Sequence, residues 1–235
     1  SSYYASLSAM SDPGWTKTSK VERYTANINA TYNIFKNLSL NLIANGSYRK
    51  QKAPGTLSSA TNYVTGEVKR EFDINPFSYA LNTSRALRPY DDQGNLEYVT
   101  MNYAPFNILS ELDNNKLHLT VADMKLQGEL SYTIIPGLKY NFMGALRYVH
   151  TSQEHEITER ANAANAYRAA GNSTIRGLNP FLYRDPEDLS AEPVVILPYG
   201  GFYNTATNRM LNYDVRNSLS FNKVWDLSLI HISEP

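Results

Sequence analysis

The stretch Tyr24-Thr25-Ala26-Asn27-Ile28-Asn29-Ala30-Thr31-Tyr32-Asn33-Ile34-Phe35-Lys36-Asn37-Leu38-Ser39-Leu40-Asn41-Leu42 alternates apolar and polar residues, breaks briefly, and alternates again. Side chains of an extended chain point to opposite faces with a period of two. Tyr24, Ala26, Ile28, Ala30, Tyr32 and Ile34 therefore share one face, and Thr25, Asn27, Asn29, Thr31 and Asn33 share the other. The next segment sets Leu38, Leu40, Leu42, Ala44, Gly46 and Tyr48 against Ser39, Asn41, Asn45, Ser47 and Arg49, with Ile43 as the mismatch. A third copy opposes Ala122, Met124, Leu126, Gly128, Leu130, Tyr132 and Ile134 to Asp123, Lys125, Gln127, Glu129, Ser131 and Thr133. A fourth carries Tyr140, Phe142, Gly144, Leu146 and Tyr148 with Asn141 and Arg147 opposite, blurred by Met143, Ala145 and Val149. One face is an apolar strip with tyrosines near its ends, and the other is a ladder of amides, hydroxyls and charges.

The connections sharpen this pattern. Two are very short, Phe35-Lys36-Asn37 and Ile135-Pro136-Gly137-Leu138. The three that alternate with them, residues 11–19, 53–116 and 158–206, are longer, two of them far longer. Antiparallel strands return to the same side after every pair, so the tight turns fall at one end and the long loops at the other. Tight turns on one side and long loops on the other, joined by dyad-patterned strands, are the mark of an outer-membrane β-barrel. A soluble antiparallel sandwich also alternates. The segments here run about 14 to 18 residues, against a usual strand of about 5–6, and about 9–11 suffice to cross the hydrocarbon. The tyrosines fall where amphipathic rings meet a lipid interface. The expectation is an all-β fold: a partial transmembrane barrel of about six long strands forming an open curved sheet, with the apolar strip convex.

Composition bounds the alternatives. The chain has 235 residues, no cysteine and zero formal net charge. Nothing draws it to nucleic acid by bulk charge, and no disulfide or thiolate site is possible. A mean hydropathy of -0.43 fits a barrel, because half of each strand is polar. No apolar run reaches the ~18 residues of a membrane helix. No signal peptide is visible, and the chain opens in strand-like sequence, so an internal piece of an exported protein is expected.

With that reading, particular residues become informative. Tyr3-Tyr4-Ala5-Ser6-Leu7-Ser8, Gly14-Trp15 and Lys20-Val21-Glu22-Arg23-Tyr24-Thr25 resemble the SusC/RagA family of TonB-dependent transporters. So does Asn75-Pro76-Phe77-Ser78-Tyr79-Ala80-Leu81-Asn82-Thr83-Ser84-Arg85-Ala86-Leu87-Arg88-Pro89-Tyr90, the most specific stretch, and so does the hairpin over residues 123–148. The resemblance covers residues 1–226. It implies a large outer-membrane barrel with an internal plug that imports bulky nutrients, oligosaccharides or peptides. It also implies a SusD-like lipoprotein as an outer lid, and TonB acting through a region outside this chain. Competing readings are a siderophore or cobalamin receptor, a structural or adhesive barrel, and a soluble carbohydrate-binding sandwich. Residues 227–235, Leu-Ser-Leu-Ile-His-Ile-Ser-Glu-Pro, resemble the translation of a transposase-based sequencing adapter, which implies a non-native tail.

Strands are expected over residues 3–10, 20–34, 38–52, 117–134, 139–157 and 207–224. The loop 53–116 is too long for a bare connection. Asn75-Pro76 reads as a helix cap with proline at the first helical position, giving a helix over 75–88 that Pro89 ends. Asp91-Asp92-Gln93-Gly94-Asn95 reads as a hairpin turn, and residues 159–170 suit a helix.

Chemistry-bearing clusters are few. His150, Glu154, His155 and Glu156 read as solvated charge, because alternate residues of a strand diverge rather than converge on a metal. Asp91, Asp92 and Asn95 lack the ligand ladder of a calcium loop. The sequons at Asn29, Asn45 and Asn172 are discounted. No nucleophile triad or phosphate loop stands out, so no enzyme is expected, and no catalytic, cofactor or metal residue is assigned. Aromatics populate the outer loops, where they suit the apolar faces of sugar rings: Trp15, Tyr63, Tyr90, Tyr98, Tyr103, Phe181, Tyr183, Tyr199, Phe202 and Tyr203. The expected substrate or lid contacts are Trp15, Tyr79, Arg85, Arg88, Tyr90, Tyr183, Tyr199 and Tyr203.

Overall fold

The computed structural model describes residues 1–14, 17–55, 59–62, 67–70, 79–81 and 83–222. Trp15, Tyr63, the helix start at Asn75-Pro76 and residues 227–235 lie outside the described residues. Six long strands form one antiparallel sheet: β1 (Ser2–Asp12), β2 (Lys20–Phe35), β3 (Leu38–Pro54), β8 (Asn115–Ile135), β9 (Leu138–Ile157) and β10 (Phe202–Phe221). They pair in the order β1-β2-β3-β8-β9-β10, so each long strand lies beside its neighbours in the chain. The small hairpins β4 (Ser59–Asn62) with β5 (Glu67–Arg70), and β6 (Val99–Met101) with β7 (Ala104–Phe106), belong to the loop between β3 and β8. That loop ends in a helix, α1 (Ile108–Asn114); α2 (Asn162–Ala166) and α3 (Ser173–Leu178) lie in the loop between β9 and β10.

The tight turns are Lys36-Asn37 and Pro136-Gly137, each next to a register shift, between Asn33 and Phe35 and between Thr133 and Ile135. Gly137 adopts a φ of +88°, and a Cβ there would stand 2.3 Å from the carbonyl oxygen of Asn222. That turn therefore demands glycine. The Asn222 N–H donates to the Gly137 carbonyl at 2.7 Å and ties the end of β10 to the neighbouring turn.

Residues directly opposite each other in an antiparallel pair project to the same face, and the register assembles the strips into rows. Ala5, Ile28, Ala44, Leu126, Leu146 and Tyr213 make one row. Tyr3, Ala30, Leu42, Gly128, Gly144 and Val215 make the next, and Tyr32, Leu40, Leu130 and Phe142 the one after. These rows form an apolar belt whose large side chains, among them Ile28, Leu42, Met124, Leu126, Leu211 and Tyr213, are exposed. On the opposite, amide face, Asn41 Nδ2 donates to Glu129 Oε2 at 3.3 Å and Gln127 Nε2 to Glu129 Oε1 at 2.6 Å. Arg147 grips Asp123 with two hydrogen bonds, 3.0 and 2.6 Å. Ile43 and Ala145 share an amide-face row with Asn29 and Gln127, so the Ile43 mismatch is real.

The alternation changes phase near the loop end, just before the strip that begins at Ala122. In Leu117-His118-Leu119-Thr120-Val121-Ala122-Asp123-Met124 the apolar residues are odd-numbered up to Val121 and even-numbered from Ala122. Leu117, Leu119 and Val121 thus lie on the amide face, where they are buried, while Lys116, His118 and Thr120 take over the belt face. Val149 belongs to the same buried cluster, with Met210 against it, which explains why it blurred the fourth strip. His155 follows suit. It is 8% exposed and its Nε2 lies 2.6 Å from Asn115 Oδ1, so it is a packed polar residue and not solvated charge.

The long loops bring apolar clusters of their own. Phe106, Ile108 and Leu112 form one, and Ile157, Ala161 and Ala164 another. Gly55 fits because a Cβ would meet Asn115 Oδ1 at 1.7 Å. Two helix expectations need correction. The chain is helical over residues 79–81 but forms a turn at Ser84–Leu87, where the Leu87 N–H donates to the Ser84 carbonyl. The expected helix over 159–170 is one short turn, α2, because the N–H groups of Arg168 and Ala169 reach back only three residues, to Asn165 and Ala166. The Asp91–Asn95 turn is present, flanked by a single bridge between Tyr90 and Leu96.

Candidate functional site

The described part of the loop between β3 and β8 folds around a cleft of about 300 Å³. Its apolar floor is Val99, Phe106, Ile108 and Leu109, with the buried Asn107 beside them, and its other walls carry Tyr79, Thr83, Arg85, Arg88 and Glu97. An apolar hollow with a few convergent polar groups is the usual form of a small-ligand site. The position of each wall follows from local chemistry. Asn107 caps α1: its Oδ1 accepts from the N–H groups of Leu109 and Ser110 at 3.0 and 3.3 Å. Its Nδ2 donates to the carbonyls of Pro89 and Glu97 at 2.8 and 2.7 Å. One side chain thereby starts a helix and pins both arms of the Asp91–Asn95 hairpin.

Arg88 is held between Asp92 at 2.5 Å and Glu97 at 3.4 Å, so its charge is matched on the rim. Tyr79 lies against Phe106, ring centroids 5.5 Å apart and tilted by 43°. Arg85 is exposed at the mouth. Of the expected contact residues, the cleft brings together Tyr79, Arg85 and Arg88. Tyr90 is exposed on the hairpin beside it. Tyr183 sits in a separate bridge with Val194, and Tyr199, 77% exposed, stands apart from the cleft rim. Tyr203 departs from expectation. It is a strand residue of β10 on the belt face, opposite Glu156, and its hydroxyl hydrogen-bonds the Glu154 carboxylate. Phe181 and Phe202 pack against Tyr167, with centroids 5.1 and 5.0 Å away, so they hold the loops together.

Glu97, Asn107 and Phe106 were missed as lining residues. Asn107 carried a readable signal, an asparagine just before the apolar pair Ile108-Leu109. Behind the cleft, the buried carboxyl of Glu111 accepts the Asn162 N–H at 2.6 Å, and burial pushes its pKa up to about 7. Asn162 Nδ2 in turn serves the carbonyls of Met101, Ala104 and Pro105. The two long loops are thus tied into one body.

Among the described residues, no group of three or more His, Asp or Glu side chains could hold a metal. The Asp91 carboxylate is occupied by the N–H groups of Asn95 and Gln93, which hold it below the usual carboxylate range. A larger trough of about 720 Å³ at the turn end is open and lined mostly by polar residues, among them Asn33, Lys36, Asn37 and Lys139. No protein-family model and no curated protein matches this sequence.

Proposed function

We propose that this chain is a segment of an outer-membrane β-barrel belonging to a TonB-dependent importer of the SusC/RagA kind, taking up oligosaccharides or peptides. The observation that carries the membrane reading is the exposed belt. On β8 it runs from Met124 to Ile134, a length that matches the ~9–11 residues needed to cross the hydrocarbon. Beyond its loop end the same face turns to Lys50, Lys52, His118 and Glu154. An exposed apolar patch of this extent on a water-soluble sheet would be an aggregation site. In this reading further strands close the barrel beyond β1 and β10, the amide face lines the lumen, and the long loops face outward.

The importer reading rests on the resemblance of the 75–90 stretch and on where its described residues lie, around the cleft of Tyr79, Arg85 and Arg88. Loops on a rigid scaffold are where binding sits. The cleft then meets the nutrient or the SusD-like lid, and TonB engages a region elsewhere in the protein. The test is nutrient uptake by cells carrying the intact transporter with Arg85→Ala. The half-saturating concentration should rise several-fold with unchanged outer-membrane content. Unchanged uptake and unchanged lid co-purification would remove the cleft from the proposal; recovery of the intact protein in the soluble fraction would remove the barrel.

A further inference from the structure

The belt face changes character abruptly above its tyrosines. The row Tyr24–Tyr48 is followed outward by Glu22 and Lys50, and then by Lys20, Lys52, His118 and Glu154. These side chains surround a groove of about 470 Å³, with Thr120 on its wall. The charges are segregated: β2, β3 and β8 contribute Lys20, Lys50, Lys52 and Lys116 against Glu22 alone, while the acids Glu154 and Glu156 stand on β9. Lys20 reaches Glu22 at 2.5 Å, and the Lys50 ammonium lies 5.6 Å from the Tyr48 ring centroid. That places one lysine charge at the edge of the tyrosine row.

We propose that this groove binds the phosphate group of an anionic lipid in the outer leaflet. The inference rests on the barrel reading, which sets the groove at headgroup height. Lysine stems can lie along the apolar wall while their ammonium groups meet the headgroup, and a compact ammonium is a good point-charge partner for phosphate. Clusters of lysine beside a membrane-spanning element attract anionic lipid. The acids on β9 limit the patch to one side, so the lipid is held at β2–β3–β8 and not around the whole rim.

The test uses the intact protein inserted in phosphatidylcholine vesicles that carry a minor fraction of spin-labelled phosphatidylglycerol or spin-labelled phosphatidylcholine. The motionally restricted signal should favour phosphatidylglycerol. Lys50→Gln with Lys52→Gln should lower that preference about thirtyfold, by the usual worth of two lysines at an anionic surface. High salt should weaken it in the wild type, and Lys139→Gln at the turn end should leave it unchanged. If the double variant does not insert, Lys52→Gln alone should give about a fivefold drop on the same basis. Equal preference in wild type and variants, with both inserted, overturns the lipid site while leaving the barrel intact. Abolition of the preference by inorganic phosphate at physiological salt reassigns the groove to a soluble anion and overturns it too. Failure of the wild-type protein to insert defeats the barrel reading itself.

Discussion

Asn107, Asn162 and Asn179 are each buried, and each spends its side chain on backbone groups of other segments. A buried carbonyl without a partner costs about 1–3 kcal/mol, so an asparagine that serves two or three of them fixes irregular chain as firmly as an apolar contact. Glu111 adds a titratable member to this set. Its pKa is raised from the ordinary 4.5 to about 7 by burial, with the Asn162 N–H opposing. The folded loops therefore bind this proton more tightly than the unfolded chain does. The resulting stability, at most roughly 3 kcal/mol, is whole below pH 4.5 and is lost as pH rises through 7. Amide hydrogen exchange in α1 and α2, corrected for intrinsic rate, should be slower at pH 5.5 than at pH 8. Glu111→Gln should flatten that dependence; a wild-type protein with no such dependence would contradict the assignment.

At the scale of elements, β8 does two jobs along one length. Its belt half, Met124 to Ile134, exposes apolar side chains, while its loop half buries Leu117 and Leu119 at 1% exposure on the other face. Leu119→Ala should cost about 2–5 kcal/mol, the usual range for a filled core site. Leu126→Ala, on an exposed belt residue, should cost much less in detergent; equal losses in urea unfolding would contradict the division. The strands, their sequential pairing and the belt were legible because a period of two is written residue by residue. The phase change was equally present in the letters around Val121, but deciding which half faces inward requires knowing that loops cover one end. The helix at 79–81 was legible in position and overextended. The cleft itself was not legible, because it depends on Asn107 bonding to Pro89 and Glu97, and no local pattern reports a side chain that serves two distant carbonyls. Tyr203 was misplaced because the start of β10 has weak alternation, with Asn204, Thr205 and Thr207 giving no strip to follow.

Across the whole molecule, the belt reading makes a direct demand on lipid. Leu42 lies in a central row of the belt, beside Ala30 and Gly128. In the intact protein, Leu42→Arg should lower folding stability in a bilayer by about 2–4 kcal/mol, the cost of an arginine at the midplane. Stability in lipid that does not fall would contradict the placement. The unequal connections also set an order of events in time. β2–β3 and β8–β9 are each closed by a two-residue turn, while β3 and β8 are joined only through residues 55–114. Closing that long loop costs ~3 kcal/mol more entropy than closing a tight turn, by logarithmic scaling with length. The two hairpins should therefore form as separate nuclei, and the seam between β3 and β8 should zip later, once α1 has packed at the head of β8. Pulse-labelled amide exchange during refolding should show protection within both hairpins before it appears across Leu42–Gly128 and Gly46–Met124. Simultaneous protection would mean that the sheet condenses as a unit. A protein built this way is most exposed to misassembly while the seam is open, when two finished ribbons present long unpaired edges to any other chain nearby.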